Sequence, residues 1–153
     1  MPQTLWNLLL LRTRRARKGI EKIVRCLESE FTEETLELLL KGMSLVFAVS
    51  EKYRKNIEGF VGRYVFRSED ESFVVSAAFD KGKMSVRKGE LADPNIRVYF
   101  SNSHALLNFI FSPKPDVLSA ILNQEVTPDG NLNYLYKFAY MANHLRLKGI
   151  ELL

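Results

Sequence analysis

Side chains that could perform nucleophilic, acid–base or metal chemistry are few and scattered in this chain of 153 residues. The two histidines, His104 and His144, fall on different predicted helices, and no cysteine or acidic residue stands at ligand spacing from either, which argues against a metal site. Cys26, the single cysteine, falls on a predicted buried stripe and is interpreted as a packed thiol. The glycines form neither a phosphate-binding loop nor a nucleophile elbow. The sequence therefore predicts a protein that is not an enzyme and carries no cofactor or metal.

A basic segment near the amino terminus has a chemistry of its own. A tryptophan and several leucines come before five cations. The apolar residues include Leu5, Trp6, Leu8, Leu9 and Leu11, and the cations are Arg12, Arg14, Arg15, Arg17 and Lys18. One interpretation is an interfacial anchor on an anionic membrane. Another is a helix that packs its leucines on the domain and keeps its arginines in water. Nucleic-acid binding is the weakest interpretation, because aromatic residues are not interleaved with the cluster.

Composition limits the class of protein. The hydrophobic content of 46% in a chain of this length suits one soluble domain with a sizeable core, and the net charge is +4. No apolar run approaches the roughly 20 residues that a membrane-spanning helix needs. A single cysteine fits a reducing compartment, and the positive charges follow the apolar start, unlike those of a secretory signal. We expect a cytoplasmic protein, with peripheral membrane contact through its amino-terminal segment.

Residues 1–57 have the composition of helices. One helix is predicted over residues 3–29, either continuous or broken near Gly19, with a buried stripe in its second half formed by Ile20, Ile23, Val24 and Leu27. Thr32 is the predicted N-cap of a second helix that ends near Ser50. The inward side chains of that helix are predicted to be Leu36, Leu39, Leu40, Met43, Val46 and Phe47. Residues 52–56 are predicted to be its polar exit.

From residue 59 the hydrophobic period changes to two, which indicates strands. Phe73, Val75, Ala77 and Phe79 share one face of a strand, and residues 80–83 are a hairpin turn signal. A further strand over residues 96–100 leads into short apolar helices over residues 105–111 and 115–122. A short strand over residues 124–130 and a last helix from about residue 131 complete the order, which is an α+β layout.

This succession of elements, from about residue 59 to residue 147, resembles the sterol-carrier-protein-2 lipid-binding family. The likeness rests on the strand entry Asp93-Pro94-Asn95, the helix start Ser101-Asn102-Ser103, Pro115 at the next helix, and the turn Gly130-Asn131-Leu132. The family has glycines at two junctions where this chain has Ser112-Pro113-Lys114 and Asn123-Gln124.

The resemblance implies a fold and a function. The fold is a curved, mainly antiparallel sheet covered by helices around an apolar tunnel. We expect a single domain over residues 1–153, with a helical region at 1–57 and a sterol-carrier-like core at 59–147. The implied function is non-catalytic binding or transfer of a fatty acyl chain, a sterol, or an isoprenoid or quinone-type lipid. Burial of each CH2 group of an acyl chain would contribute about 0.8 kcal/mol.

The predicted tunnel walls come from the sheet and from the three helices that follow it. They are Phe73, Val75, Phe79, Val98, Phe100, Leu106, Leu107, Phe109, Ile110, Phe111, Leu118, Ile121, Leu122, Leu135, Phe138 and Met141. The same residues could instead simply pack a closed core, as in an accessory protein that binds other proteins. The amino-terminal helices could pair two subunits or contact a partner enzyme, and a nucleic-acid binder using the arginines remains the third alternative.

Overall fold

The computed structural model describes residues 32–111 and 116–152, with side chains up to Leu145. Five strands form one sheet in the order β3-β2-β1-β4-β5. They are β1 (Gly62–Ser68), β2 (Val74–Asp80), β3 (Lys83–Lys88), β4 (Ile96–Phe100) and β5 (Val126–Gly130). Every neighbouring pair is antiparallel except β1 and β4, which run parallel. The predicted α+β class with a mainly antiparallel sheet is confirmed.

The helices lie before and after the strand meander. They are α1 (Glu33–Val49), α2 (Glu51–Arg54), a 3-10 turn (Lys55–Ile57), α3 (Ser103–Phe111), α4 (Val117–Leu122) and α5 (Leu132–Leu152). In the described part of the chain, no helix combines the length and the hydropathy needed to cross a bilayer. The predicted helix over residues 3–29, with Cys26 and the arginine cluster, and the junction at residues 112–114 lie outside the described residues.

Helix α1 begins and ends as the sequence predicts. Thr32 is its N-cap and forms a reciprocal capping box with Thr35, which satisfies amide groups that the first turn leaves unpaired. Ser50 closes the helix and caps α2, because its hydroxyl accepts a hydrogen bond from the amide of Tyr53. The buried side chains of α1 are Leu36, Leu40, Met43 and Phe47, whereas Leu39 and Val46 are only half-buried.

The prediction of a polar exit over residues 52–56 is wrong at one position. Tyr53 is fully buried and stacks on Phe47 with ring centroids 4.2 Å apart. The chain restarts a helix after Ser50, and this turns Tyr53 toward the core while Lys52 and Lys55 stay exposed.

The first three strands form an antiparallel meander. Lys81 and Gly82 connect β2 to β3 with φ angles of 52° and 72°, which is the left-handed pair of a tight hairpin turn that matches the twist of its strands. The hairpin pairs Phe79 with Met84 and Ala77 with Val86, so the apolar faces of the two strands coincide.

Residues 89–95 carry the chain from the edge strand β3 back to β4, which lies beside β1. Ser76, on the outer face of β2, donates a hydrogen bond to the carbonyl oxygen of Gly89 at 2.5 Å. The guanidinium of Arg63 donates to the carbonyl oxygen of Ala92 at 3.0 Å. These bonds place the crossover on the outer face of the sheet, so the helices are left to cover the inner face.

The inner face is shared between two groups of helices. Helix α1 packs on β3 and β2, whereas α3 and α5 pack on each other and on β4. Helix α4 lies against β5 and α5. The core residues of α1 belong to the same hydrophobic cluster as those of the sheet and of α5.

Candidate functional site

The inner face of the sheet supports a continuous apolar interior rich in aromatic rings. Phe66 of β1 and Phe138 of α5 lie with ring centroids 4.7 Å apart, and Phe100 of β4 meets Phe109 of α3 edge-on at 5.8 Å. Tyr64 contacts Phe138 at 5.7 Å. The period-two pattern of the strands positions the sheet residues, and the helical period aligns those of α3 and α5 opposite them. The result is apolar surface between β1, β4, α3 and α5.

The hydroxyl groups inside this interior are internally paired. The phenol of Tyr64 donates a hydrogen bond to the carbonyl oxygen of Tyr134 at 2.8 Å, and that of Tyr53 donates to the carbonyl oxygen of Met141 at 2.8 Å. Burial raises the pKa of Tyr53 above its usual range. Burial, with a smaller contribution from Tyr134, raises the pKa of Tyr64 in the same way. Both phenols are therefore neutral at physiological pH, and a ligand in this interior would be held by apolar contact.

The outer face of the sheet has the opposite chemistry. Four arginines project from its strands: Arg63, Arg67, Arg87 and Arg97. Arg67 forms salt bridges with Glu71 at 2.6 Å and with Glu90 at 2.7 Å, and its guanidinium lies 5.5 Å from the ring centre of Tyr99. A charged, ion-paired surface of this kind offers no site for an acyl chain, so the candidate site is on the inner face.

A separate groove of about 740 Å³ lies where the end of α1, helix α2 and the β2–β3 hairpin meet. Its charged lining consists of Arg54, Lys55, Lys81, Lys83, Glu51 and Glu58. None of the predicted tunnel-wall residues lines this groove, and its cations and carboxylates suit water and ions better than a lipid tail.

Most of the predicted wall residues lie in the interior. Those that are buried are Phe73, Val75, Phe79, Val98, Phe100, Leu106, Leu107, Phe109, Leu135, Phe138 and Met141. Ile110, Phe111 and Ile121 are half-buried. Leu118 and Leu122 are 57% and 71% exposed, so they lie at the surface rather than inside. The predicted wall residues therefore run from the buried face of the sheet to the exposed surface of α4.

Helix α4 buries one residue that is not among the predicted tunnel walls. Val117, its first residue, is buried in the core. Asp116 caps the helix by accepting hydrogen bonds from the amide and hydroxyl of Ser119, and these bonds lower the pKa of its carboxyl group. Val117 directly follows this N-cap, and a residue with that position and apolar character could have been identified from the sequence.

The histidines are engaged with neighbouring amides and rings. Asn56 and Nδ1 of His144 form a hydrogen bond at 2.8 Å, and the His144 ring lies 5.3 Å from that of Tyr53. His104 lies in the first turn of α3, where the amide of Asn108 donates to its Nε2 at 3.1 Å. Within residues 32–111 and 116–152, no cluster of three potential ligands could hold a metal ion.

This arrangement of strands and helices is similar to that of known structures. UbiJ-SCP2, a ubiquinone synthesis protein, superposes with a TM-score of 0.53 at 15% identity, over 69% of this chain and 94% of that one. The chain has the sterol carrier protein 2 fold. The predicted resemblance is thereby confirmed at the level of the fold.

The sterol carrier protein 2 fold also matches part of a larger enzyme. The sec-alkylsulfatase Pisa1 from Pseudomonas sp. superposes with a TM-score of 0.52 at 18% identity, over 57% of this chain. The match spans only 14% of the alkylsulfatase chain. No family model and no curated protein matches the sequence, so these likenesses describe the fold alone.

The junction before β5 has an unusual backbone conformation. Gln124, two residues before the strand, has a φ angle of 60°. This left-handed conformation is one that glycine adopts without steric cost. Gln124 therefore holds a backbone conformation that favours glycine, although it carries a side chain.

Proposed function

We propose that the protein binds or carries a hydrophobic ligand, of fatty acyl, sterol or isoprenoid type, between the inner face of the sheet and helices α3, α4 and α5, without converting it chemically. The observation that carries the proposal is the apolar interior of a sterol carrier fold whose buried tyrosines are neutral and internally paired. An interior of this kind can hold a lipid tail while any polar headgroup stays at the surface.

Native mass spectrometry of freshly purified protein tests this function directly. We expect a one-to-one adduct that solvent extraction removes and that is identifiable as a lipid. The extracted protein should then take up a fluorescent fatty acid. A protein that is free of ligand when purified, and that also fails to bind the acyl probe, would contradict the proposal.

We propose further that the amino-terminal segment brings the protein to a lipid source, either an anionic membrane or a partner enzyme. The support is the order of leucines, tryptophan and arginines in residues 5–18. Flotation with anionic vesicles should be lost when Arg14, Arg15 and Arg17 are replaced by glutamate. A charge-matched control replaces the exposed Lys81, Lys83 and Arg87 by glutamate and should still float. Equal flotation of the two variants would exclude the segment as the anchor.

A protein-binding accessory with a closed core is the second candidate. The aromatic contacts of Phe66, Phe109 and Phe138 favour it, because rings at these distances already fill the space between sheet and helices. The acyl-probe experiment separates the two candidates, since a closed core predicts no uptake at any probe concentration.

A further inference from the structure

The groove where the end of α1, helix α2 and the β2–β3 hairpin meet carries more cations than carboxylates, and we call it the basic groove. Its cations are Arg54, Lys55, Lys81 and Lys83, and its carboxylates are Glu51 and Glu58. Among the described residues, none of these six side chains forms an ion pair. Four cations against two carboxylates leave the lining with an excess of two positive charges.

Hydrogen bonds between its walls hold the basic groove open. The hydroxyl of Ser44 donates to the carbonyl oxygen of Met84 at 2.6 Å, which fixes α1 against β3. Nη1 of Arg54 donates to the carbonyl oxygens of Phe47 and Ala48 at 3.3 Å and 3.0 Å, which fixes α2 against the end of α1. The basic groove is therefore formed before any ligand arrives, and a preformed site loses little entropy on binding.

The floor of the basic groove is apolar. Phe47 and Met84 line it and belong to the hydrophobic core, and the exposed Ala48 lies next to Phe47 in the last turn of α1. The volume of about 740 Å³ is in the range of sites for small organic molecules and is much larger than an inorganic ion requires. A matching ligand is therefore an anion with an apolar body.

We propose that the basic groove binds a small organic phosphate, namely a phosphate monoester with an apolar body. The phosphate oxygens are bound by Arg54, Lys81 and Lys83. Of the Arg54 guanidinium nitrogens, Nη1 alone donates a hydrogen bond within the described residues, so the others are available to a ligand. The body of the ligand lies on Phe47 and Ala48.

The charge of a phosphate monoester suits this lining. It carries about −1.5 to −2 charges at pH 7, which balances the two excess cations. Arginine and lysine are the side chains that bind phosphate oxygens most strongly. The proposal does not depend on whether the interior of the fold holds a lipid, because none of the predicted tunnel-wall residues lines the basic groove.

A titration of the full-length, nitrogen-15-labelled protein with phenyl phosphate tests the site by NMR. We expect saturable shifts of the amide signals of residues 54–55 and 81–84, with a Kd of about 1 mM or lower. Inorganic phosphate has the same charge but no apolar body, so its affinity should be at least about fivefold lower. No saturable shift at these residues, or equal affinity for the two probes, would overturn the proposal.

The variant Lys81→Gln, Lys83→Gln tests the cations. Its affinity for phenyl phosphate should fall at least about tenfold, because two charge-assisted contacts are lost. The matched control Lys52→Gln, Arg87→Gln removes two exposed cations that do not line the basic groove, and its affinity should stay nearly unchanged. An equal loss in both variants would mean that the protein attracts anions through its overall charge, which contradicts a defined site.

The variant Ala48→Trp tests the groove itself, because it keeps every cation and fills the space above the floor. Affinity for phenyl phosphate should fall at least about tenfold. Val49→Trp is the control, since Val49 is the next residue, is 76% exposed and does not line the basic groove. Thermal unfolding checks that both variants are folded. Unchanged affinity in a folded Ala48→Trp would refute the proposal.

Vesicles that contain phosphatidic acid distinguish a soluble phosphate from a lipid headgroup, since this lipid presents the same monoester at a membrane surface. A soluble ligand predicts that the variant Lys81→Gln, Lys83→Gln floats with these vesicles as well as the unmodified protein does. Flotation that is lost in this variant but kept in Lys52→Gln, Arg87→Gln would assign the basic groove to a membrane headgroup and would overturn the proposal.

Discussion

The phenol of Tyr53 donates a hydrogen bond to the carbonyl oxygen of Met141 at 2.8 Å, and both residues are fully buried. The bond joins helix α2, which precedes the sheet, to the last helix of the chain, across 88 residues of sequence. Tyr53 also stacks on Phe47 of α1. The helices before the sheet are therefore bonded to α5 and packed in the core that contains the candidate site.

The variant Tyr53→Phe tests the value of this bond. It keeps the ring contact with Phe47 but removes the donor, and we expect the free energy of unfolding to fall by about 1 kcal/mol. Urea unfolding followed by circular dichroism measures the change. The control Tyr140→Phe alters a tyrosine that is 60% exposed, so it should leave stability unchanged. Equal effects of the two variants would mean that the buried bond does not stabilise the fold.

The same tyrosine makes stability depend on alkaline pH. Because burial raises the pKa of Tyr53 above that of the unfolded chain, its contribution is fully present below pH 10 and is lost as the pH rises further. Above pH 10 the unmodified protein should lose about 1.4 kcal/mol of unfolding free energy per pH unit relative to the variant Tyr53→Phe, which lacks the titrating phenol. Urea titrations between pH 8 and pH 11 measure this. A difference that stays constant across that range would show that Tyr53 titrates normally.

Local features of the fold could be predicted from the sequence because each one depends on a few neighbouring residues. Thr32 is the N-cap of α1, as a threonine directly before a helical pattern predicts. Lys81 and Gly82 form the turn that their position between two alternating segments predicts. The alternation in β2 places Val75, Ala77 and Phe79 in the core, as expected.

Long-range features could not be predicted in the same way. The parallel pairing of β1 with β4 depends on a crossover held by Ser76 and Arg63, and period-two alternation does not identify a partner strand. Tyr53 stands among Lys52, Arg54 and Lys55, so local composition suggests an exposed position; its burial follows from contacts with a distant helix. The apolar character of Leu122 predicts a place in the tunnel wall, but only the packing of α4 determines that it lies at the surface.

Gly130→Ala tests the close pairing of β4 with β5. Gly130 has a φ angle of 135° and lies opposite Ile96, and a side-chain carbon there would overlap the backbone of Asn95 and Ile96. We expect the variant to lose about 3 kcal/mol of stability. Gly59→Ala is the control. Gly59 also has a positive φ, but a side-chain carbon added there would meet no atom within 4 Å, so this variant should lose only about 1 kcal/mol of stability. Similar losses for both would show that the strands separate readily at this point.

Gln124→Gly tests whether the left-handed junction before β5 is strained. Glycine adopts this conformation without steric cost, so the variant should gain about 0.5 kcal/mol of stability. This is a net value, because glycine also makes the unfolded chain more flexible, which opposes the gain. The neighbour Asn123 has a φ angle of −83°, so Asn123→Gly should instead lose a similar amount. Thermal unfolding of both variants measures the difference in sign, and a loss of stability in both would show that Gln124 makes a favourable contact that outweighs the strain.

Leu122→Asp tests whether the exposed end of the predicted wall takes part in ligand binding. Leu122 is 71% exposed, so a charge there should leave the urea midpoint nearly unchanged. If a lipid tail contacts α4 on its way into the interior, the affinity for a fluorescent fatty acid should fall at least about fivefold, equivalent to about 1 kcal/mol. Val61→Asp is the matched control, because Val61 is 60% exposed and lies before β1, away from α4 in the chain. Unchanged affinity in Leu122→Asp, with a stable fold, would place the entrance to the interior elsewhere.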